Sequence, residues 1–216
     1  MKWMRDNALT VALLVLFGVA LAGQIFAGWR AENHELMLHG EPAQQLLAYV
    51  GGGAFLSSVF ENWESEFLQM MAYVVLTAHL FQRGSAESRD PDAADKEAEA
   101  DAKEEAALRR YAAGVRRFLH AHSLGLALGA LFLVSFVLHW INSARAGAEE
   151  AMQHGDMPPA LWRWLADPEF WFESFQNWQS EFLATGALVV LTIFLREKGS
   201  PESKRIGAPN SKTGKG

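Results

Sequence analysis

The residues best suited to chemistry come in pairs. Glu66 and Glu181 sit in matching heptapeptides, Asn62-Trp-Glu-Ser-Glu-Phe-Leu68 and Asn177-Trp-Gln-Ser-Glu-Phe-Leu183, 115 positions apart. At about 100° per residue, Asn62, Glu66, Tyr73 and Thr77 share one stripe of a helix. Asn177, Glu181 and Thr192 repeat the stripe, with Leu188 in place of the tyrosine. The helices preceding them offer Gln24 and, in the second copy, His139 at comparable depth. Two carboxylates brought close together split their titration, and one of them keeps its proton near neutrality. Such a constellation suits a proton or cation site. The same residues also suit a structural polar knot, because interhelical hydrogen bonds and small residues (Gly18, Gly23, Gly125, Gly129) hold apolar helices together.

A second duplicated set lies between the helices: Glu35-x-Met37-x-His39-Gly40 and Glu150-x-Met152-x-His154-Gly155. Imidazole with thioether suits copper, and imidazole with carboxylate suits zinc. The spacing matches no metal motif, and nothing else in the sequence requires a cofactor. The alternative is that His and Gly form a turn leaving the helix.

Several classes of function are excluded. Without cysteine there is no disulfide framework, zinc–thiolate site or thiol nucleophile. No phosphate loop, nucleophile elbow or His-Glu-x-x-His helix is present, so no enzymatic activity is expected. The net charge of −6 and the lack of a basic, aromatic-rich patch argue against a nucleic-acid partner.

The elements that must position these residues are four apolar runs, Ala8–Trp29, Phe67–Phe81, Leu124–Ile141 and Phe182–Leu195. The first and third pass the roughly 18-residue threshold for a membrane span. The other two do so only if their helices extend backward through Phe60–Glu66 and Phe175–Glu181. Shifted by 115, the sequence aligns with itself, and positions 60–89 and 175–204 share 17 identities in 30 without a gap. The expected fold is therefore all-α, an integral membrane four-helix bundle built from a tandem two-helix repeat. The two copies are parallel repeats about a pseudo-two-fold along the membrane normal. Repeat one covers residues 1–89 and repeat two 118–205, each with two helices and an outer loop of about 30 residues. A charged linker, 90–117, is expected as a solvated helix or tether, and a disordered tail occupies 206–216.

Charge sets the orientation. The N-terminal, linker and C-terminal segments hold 2, 8 and 6 Lys or Arg, against 3 in the two outer loops. The positive-inside rule places both termini and the linker in the cytoplasm. Trp29, Trp63, Trp140, Trp162, Trp164, Trp171 and Trp178 then gather at the outer face as an anchoring belt. The N-terminal run resembles a signal peptide, but its counterpart lies mid-chain, so it is read as a retained helix.

Through the doubled Asn-Trp-x-Ser-Glu-Phe-Leu motif, the chain resembles a family of small bacterial membrane proteins classified only as a domain of unknown function. The resemblance implies a bacterial inner-membrane, multi-pass location and no particular activity. The expected function is an accessory or scaffold membrane protein with a carboxylate network. The alternatives are a proton- or cation-conducting unit using Glu66 and Glu181, and an external metal sensor. Expected partners are the lipid bilayer and a second copy or another membrane protein.

Overall fold

The structure is a computed structural model that describes residues 2–93, 99–104, 106, 109 and 114–214. Linker positions 94–98, 105, 107, 108 and 110–113, on which part of the expected solvated helix falls, lie outside the described residues. The described chain is all-helical. Its helices are α1 (Lys2–Asp6), α2 (Ala8–Leu38), α3 (Leu46–Val50), α4 (Gly53–His79), α5 (Val115–Ala121), α6 (Ser123–Gln153), α7 (Leu161–Trp164) and α8 (Pro168–Phe194).

The long helices outrun the apolar runs. α2 continues past Trp29 for nine residues because Arg, Ala, Glu, Leu and Met are good helix formers even where apolar character ends. α4 and α8 begin before the Asn-Trp-x-Ser-Glu motif and reach 27 residues each, about 40 Å at 1.5 Å per residue. The backward extension on which the second and fourth spans depended is therefore present. The expected 30-residue outer loops shrink to residues 39–52 and 154–167, each holding one short helix. The bounds recur at the 115 spacing: α2 with α6, and α4 with α8. α2 and α6 are long and apolar enough to cross a membrane. Among the described residues, α4 and α8 do not join them, since their first halves carry Glu61, Glu64, Glu66, Glu169, Glu173 and Glu181.

The chain forms two compact units. Unit 1 comprises Met1–Val59 and Leu138–Trp164. Its apolar core is Tyr49, Phe55 and Val59, packed against Leu21, Ile25 and Trp29. Tyr49 stacks on Phe55 at 5.1 Å between ring centroids. The short helices α3 and α7 each press an aromatic ring onto a long helix. A Cβ at Gly28 would stand 2.0 Å from the Tyr49 hydroxyl, and one at Gly147 would stand 2.1 Å from the Trp164 ring. A third approach is backbone to backbone, where a Cβ at Gly53 would lie 2.6 Å from the amide nitrogen of Ala146. The packing glycines are thus Gly28, Gly53 and Gly147. Gly18 and Gly23 have no neighbour within 4 Å, and Gly125 and Gly129 only touch Val75 and Met71.

Unit 2 comprises Phe60–Val137 and Leu165–Gly216. Its aromatic wall runs through Phe132, Phe136, Phe170, Trp171, Phe175 and Trp178, with successive centroids 5.4–6.4 Å apart. The segment after Arg205, expected to be disordered, is instead hydrogen bonded in this unit. Arg196 donates to the Ala208 carbonyl and Asn210, Gly84 N–H donates to Thr213 Oγ1 at 2.9 Å, and Gly214 N–H donates to the Ser85 carbonyl. The ammonium of Lys204, itself buried, donates to the carbonyls of Gly84, Ile193, Asn210 and Lys212 at 2.5–3.2 Å. Four carbonyls surround one ammonium and replace the water it gives up on burial.

Candidate functional site

The polar residues of α4 and α8 form a ladder in unit 2. On α4, Glu61, Glu64 and Ser65 are spaced i, i+3, i+4 and so share a face. On α8, Glu173 and Asn177 are one turn apart. Asn177 donates its amide to Glu61 Oε1, and also to the Glu173 backbone carbonyl at 3.2 Å. Trp178 Nε1 donates to Glu64 Oε1 at 2.8 Å. Further along, Gln69 Nε2 donates to Thr185 Oγ1 at 2.5 Å, and the hydroxyls of Ser85 and Thr192 meet at 2.9 Å.

Glu64 is the extreme member, with 0% of its surface exposed. A carboxylate taken out of water costs several kcal/mol unless hydrogen bonds replace the lost solvation. The indole N–H supplies one such bond. Carboxylate oxygens of Glu61 and Glu173 lie within 4.8 Å of each other. That separation is within the reach of one shared cation.

The residues singled out by sequence are distributed as follows. Asn177 is in the ladder. Thr192 is buried and accepts from the Ala86 amide at 3.3 Å. Thr77 Oγ1 turns back to the Tyr73 carbonyl at 2.7 Å, and the Tyr73 hydroxyl donates to Glu87 Oε2 at 2.6 Å. Asn62 and Glu66 are exposed, and Glu181 is half-buried. Gln24, in unit 1, donates to Ser58 Oγ at 3.2 Å. His139, also in unit 1, is fully buried. The stripe headed by Glu66 and Glu181 is therefore displaced by one around Glu61 and Glu64. Identity between the copies does not mark these two, because the second copy carries Gln176 and Gln179 there. The signal that finds them is helical spacing: Glu61 and Glu64 lie three residues apart on the flank of an apolar helix.

The Glu-x-Met-x-His-Gly segments end helices. Gly40 N–H donates to the Met37 carbonyl and Glu41 N–H to the Leu36 carbonyl, while Gly40 has φ +76°. Gly155 and Asp156 repeat both bonds onto Met152 and Ala151, with φ +79° at the glycine. This is the Schellman arrangement, in which glycine takes the left-handed position and two orphan carbonyls are satisfied. His39 Nδ1 lies 2.9 Å from the Glu35 carbonyl. Among the described residues, no group of three carboxylate or imidazole ligands forms at either turn. Glu35, Met37, His39, Glu150, Met152 and His154 are all exposed.

The tryptophans do more than line an interface. Trp29 donates to the Gln44 carbonyl, Trp140 to that of Leu161, Trp171 to that of Leu165, and Trp164 to Ser143 Oγ, at 2.7–3.0 Å. Each ties a connecting segment to a long helix. A family profile matches residues 1–215, essentially the whole chain. The chain belongs to that family, described as a domain of unknown function, DUF6766. No curated protein and no solved structure matches it. The match spans both helical pairs.

Proposed function

We propose that the chain is a multi-pass inner-membrane protein without catalytic turnover, an accessory or scaffold unit whose α4–α8 ladder locks its helices. The observation that carries this reading is the fully buried Glu64 carboxylate held by Trp178. A carboxylate tied in this way is suited to fixing helix register. The membrane setting is supported by α2 and α6, whose apolar side chains, among them Leu9, Leu14, Val19, Leu131 and Val134, are exposed. The coincident bounds at 115 residues support a duplicated helical pair, hence four spans in this reading, and the Lys and Arg excess of the terminal and linker segments supports cytoplasmic termini.

Because the chain lacks native cysteine, single-cysteine labelling tests the topology without background. Glu41→Cys and Met157→Cys should react with an impermeant thiol reagent in intact cells, whereas Ala102→Cys and Ser211→Cys should react only after lysis. Equal labelling of all four sites contradicts the four-span arrangement.

A second reading is favoured by the Glu61–Glu173 pair: a cation- or proton-conducting unit with these two carboxylates, in place of Glu66 and Glu181, as its acid–base groups. Proton and cation flux in proteoliposomes separates the two. Flux that Glu61→Gln with Glu173→Gln abolishes favours conduction; no flux above empty vesicles leaves the scaffold reading.

A further inference from the structure

Two cavities in unit 2 adjoin at one hydrogen bond. The first, of about 360 Å³, is a cleft between α4 and α8 walled mainly by apolar side chains, including Leu76, Leu80, Phe81, Phe182 and Val189. The second, of about 740 Å³, is lined by polar groups, among them Ser88, Arg89, Asp90 and Thr213. Both are bordered by Tyr73, Thr77, Glu87 and Ser88, so the Tyr73–Glu87 bond stands at their junction. An apolar cleft continuous with a polar cavity has the shape of an amphiphile site, and each volume lies within the range of ligand pockets.

The polar end selects the head. Its lining carries two carboxylates, Glu87 and Asp90, against one guanidinium, Arg89. The hydroxyls of Ser88 and Thr213 each accept a backbone N–H, from Gln82 and Gly84. Each hydroxyl keeps its own O–H to donate, so the two carboxylates against one guanidinium decide the head, and they suit one bearing positive charge and N–H donors. Arg89, although it pairs with Asp101 at 2.9 Å, has five donors and can also meet a phosphate.

We propose that unit 2 binds an aminophospholipid, its acyl chain in the α4–α8 cleft and its ammonium phosphate head in the cavity beside Glu87, Arg89 and Asp90. The site rests on the membrane reading above. A quaternary head lacks the N–H donors that Glu87 and Asp90 accept, and an anionic head lacks the cation.

Binding is measured by native mass spectrometry on the detergent-solubilised full chain, with phosphatidylethanolamine, phosphatidylcholine and phosphatidylglycerol of one chain length and a free fatty acid. Phosphatidylethanolamine should bind at least tenfold more tightly than the other three. Glu87→Gln keeps an acceptor for Tyr73 but removes the charge, and should erase that preference. Gly186 lines the cleft, and a Cβ there has no neighbour within 4 Å. Gly186→Phe should therefore weaken every chain-bearing ligand at least tenfold while leaving the helical circular dichroism unchanged. Equal affinity for all heads, or a preference that survives Glu87→Gln, overturns the proposal. Should Gly186→Phe misfold, Glu87→Gln alone decides. Extraction of the chain from membranes by alkaline carbonate would refute the membrane reading, whatever the lipid assay gives. Retention in the membrane without head preference refutes only the lipid site.

Discussion

Removing the indole donor from Glu64 is the most direct perturbation of the ladder. Trp178→Phe keeps an aromatic ring beside Phe132 and Phe175, 6.3 and 5.4 Å away between centroids, but deletes the N–H that reaches Glu64 at 2.8 Å. A hydrogen bond to a charged group contributes about 1.5–3 kcal/mol in water-soluble proteins. Between membrane helices the measured average is about 0.6 kcal/mol and the maximum about 1.7. The full burial of Glu64 places this bond toward the upper end of the membrane range, so the expected coupling is about 1–2 kcal/mol. A double-mutant cycle of Glu64→Leu and Trp178→Phe isolates that term, because packing losses cancel between the single and double variants. The double variant should be less destabilised than the two single variants summed, since replacing both partners strands neither a carboxylate nor an N–H. At about 2–4 °C per kcal/mol for a chain of this length, the coupling appears as a few degrees in detergent melts followed by circular dichroism. Glu64→Gln places in copy one the residue that copy two carries at Gln179. It keeps an acceptor for the indole and should stay within about 1 kcal/mol of the native chain. Additivity of Glu64→Leu and Trp178→Phe within about 0.3–0.5 kcal/mol would refute the knot.

Four further outcomes follow from the geometry. Gly53→Ala places a Cβ 2.6 Å from the Ala146 backbone nitrogen and should cost about 1–3 kcal/mol by thermal melting. Gly28→Ala meets the Tyr49 hydroxyl instead, so Tyr49→Phe should rescue part of its loss. Tyr49 gives a pH test: burial first, and the Glu32 carboxylate second, raise its hydroxyl above the ordinary 10.0. The unfolded chain then releases this proton before the folded one, so the contribution is complete below about pH 10 and is lost as pH rises through the folded value. Alkaline melting curves of Tyr49→Phe should lack that decline. Deleting residues 206–216 removes the partners of Arg196 and Gly84, so the Gly84 amide should lose hydrogen-exchange protection, whereas an unstructured tail would leave it unchanged.

The period of the helices and the spacing of the repeat were legible because both follow from backbone geometry. The apolar runs in α2 and α6 and the duplicated caps needed no tertiary information. The ends of α4 and α8 were less visible. Their first halves are rich in glutamate, which favours helix but breaks the hydropathy signal. The ladder was half legible. Asn177 and Thr192 lie on the stripe of positions identical in both copies, but that stripe runs through Glu66 and not Glu64. Which of two carboxylates two residues apart, on opposite flanks, turns inward depends on the neighbouring helix, and a single helix cannot encode that. The Glu-x-Met-x-His-Gly turn shows the reverse confusion. Ligand-type residues occur twice because a left-handed glycine and its preceding turn end a helix well in both places.

These two outcomes bear on what duplication selects. The elements identical in both copies are largely local devices: the glycine caps, and the serines of Gly84-Ser-Ala-Glu-Ser and Gly199-Ser-Pro-Glu-Ser. In the latter, Ser85 and Ser200 accept the amides of Glu87 and Glu202, and Ser88 and Ser203 accept those of Gln82 and Glu197. The strongest rungs of the interhelical ladder pair a position where the copies differ with one where they match, since Asn177 and Trp178 repeat Asn62 and Trp63. Glu61 and Glu64 on α4 meet Asn177 and Trp178 on α8, where the second copy has neutral Gln176 and Gln179 in place of the two glutamates. Identical glutamates on both helices would add two more carboxylates to a region with few cations, and each would raise the cost of the others. Divergence to glutamine removes that repulsion while keeping the hydrogen-bonding shape. Gln24 and Ser58 form a neutral pair in the first copy, whereas the second copy has the ionisable His139 and Glu173 at the same positions. An ionisable side chain is thus carried by one copy at each of these positions, so the two halves of this chain are not chemically interchangeable there.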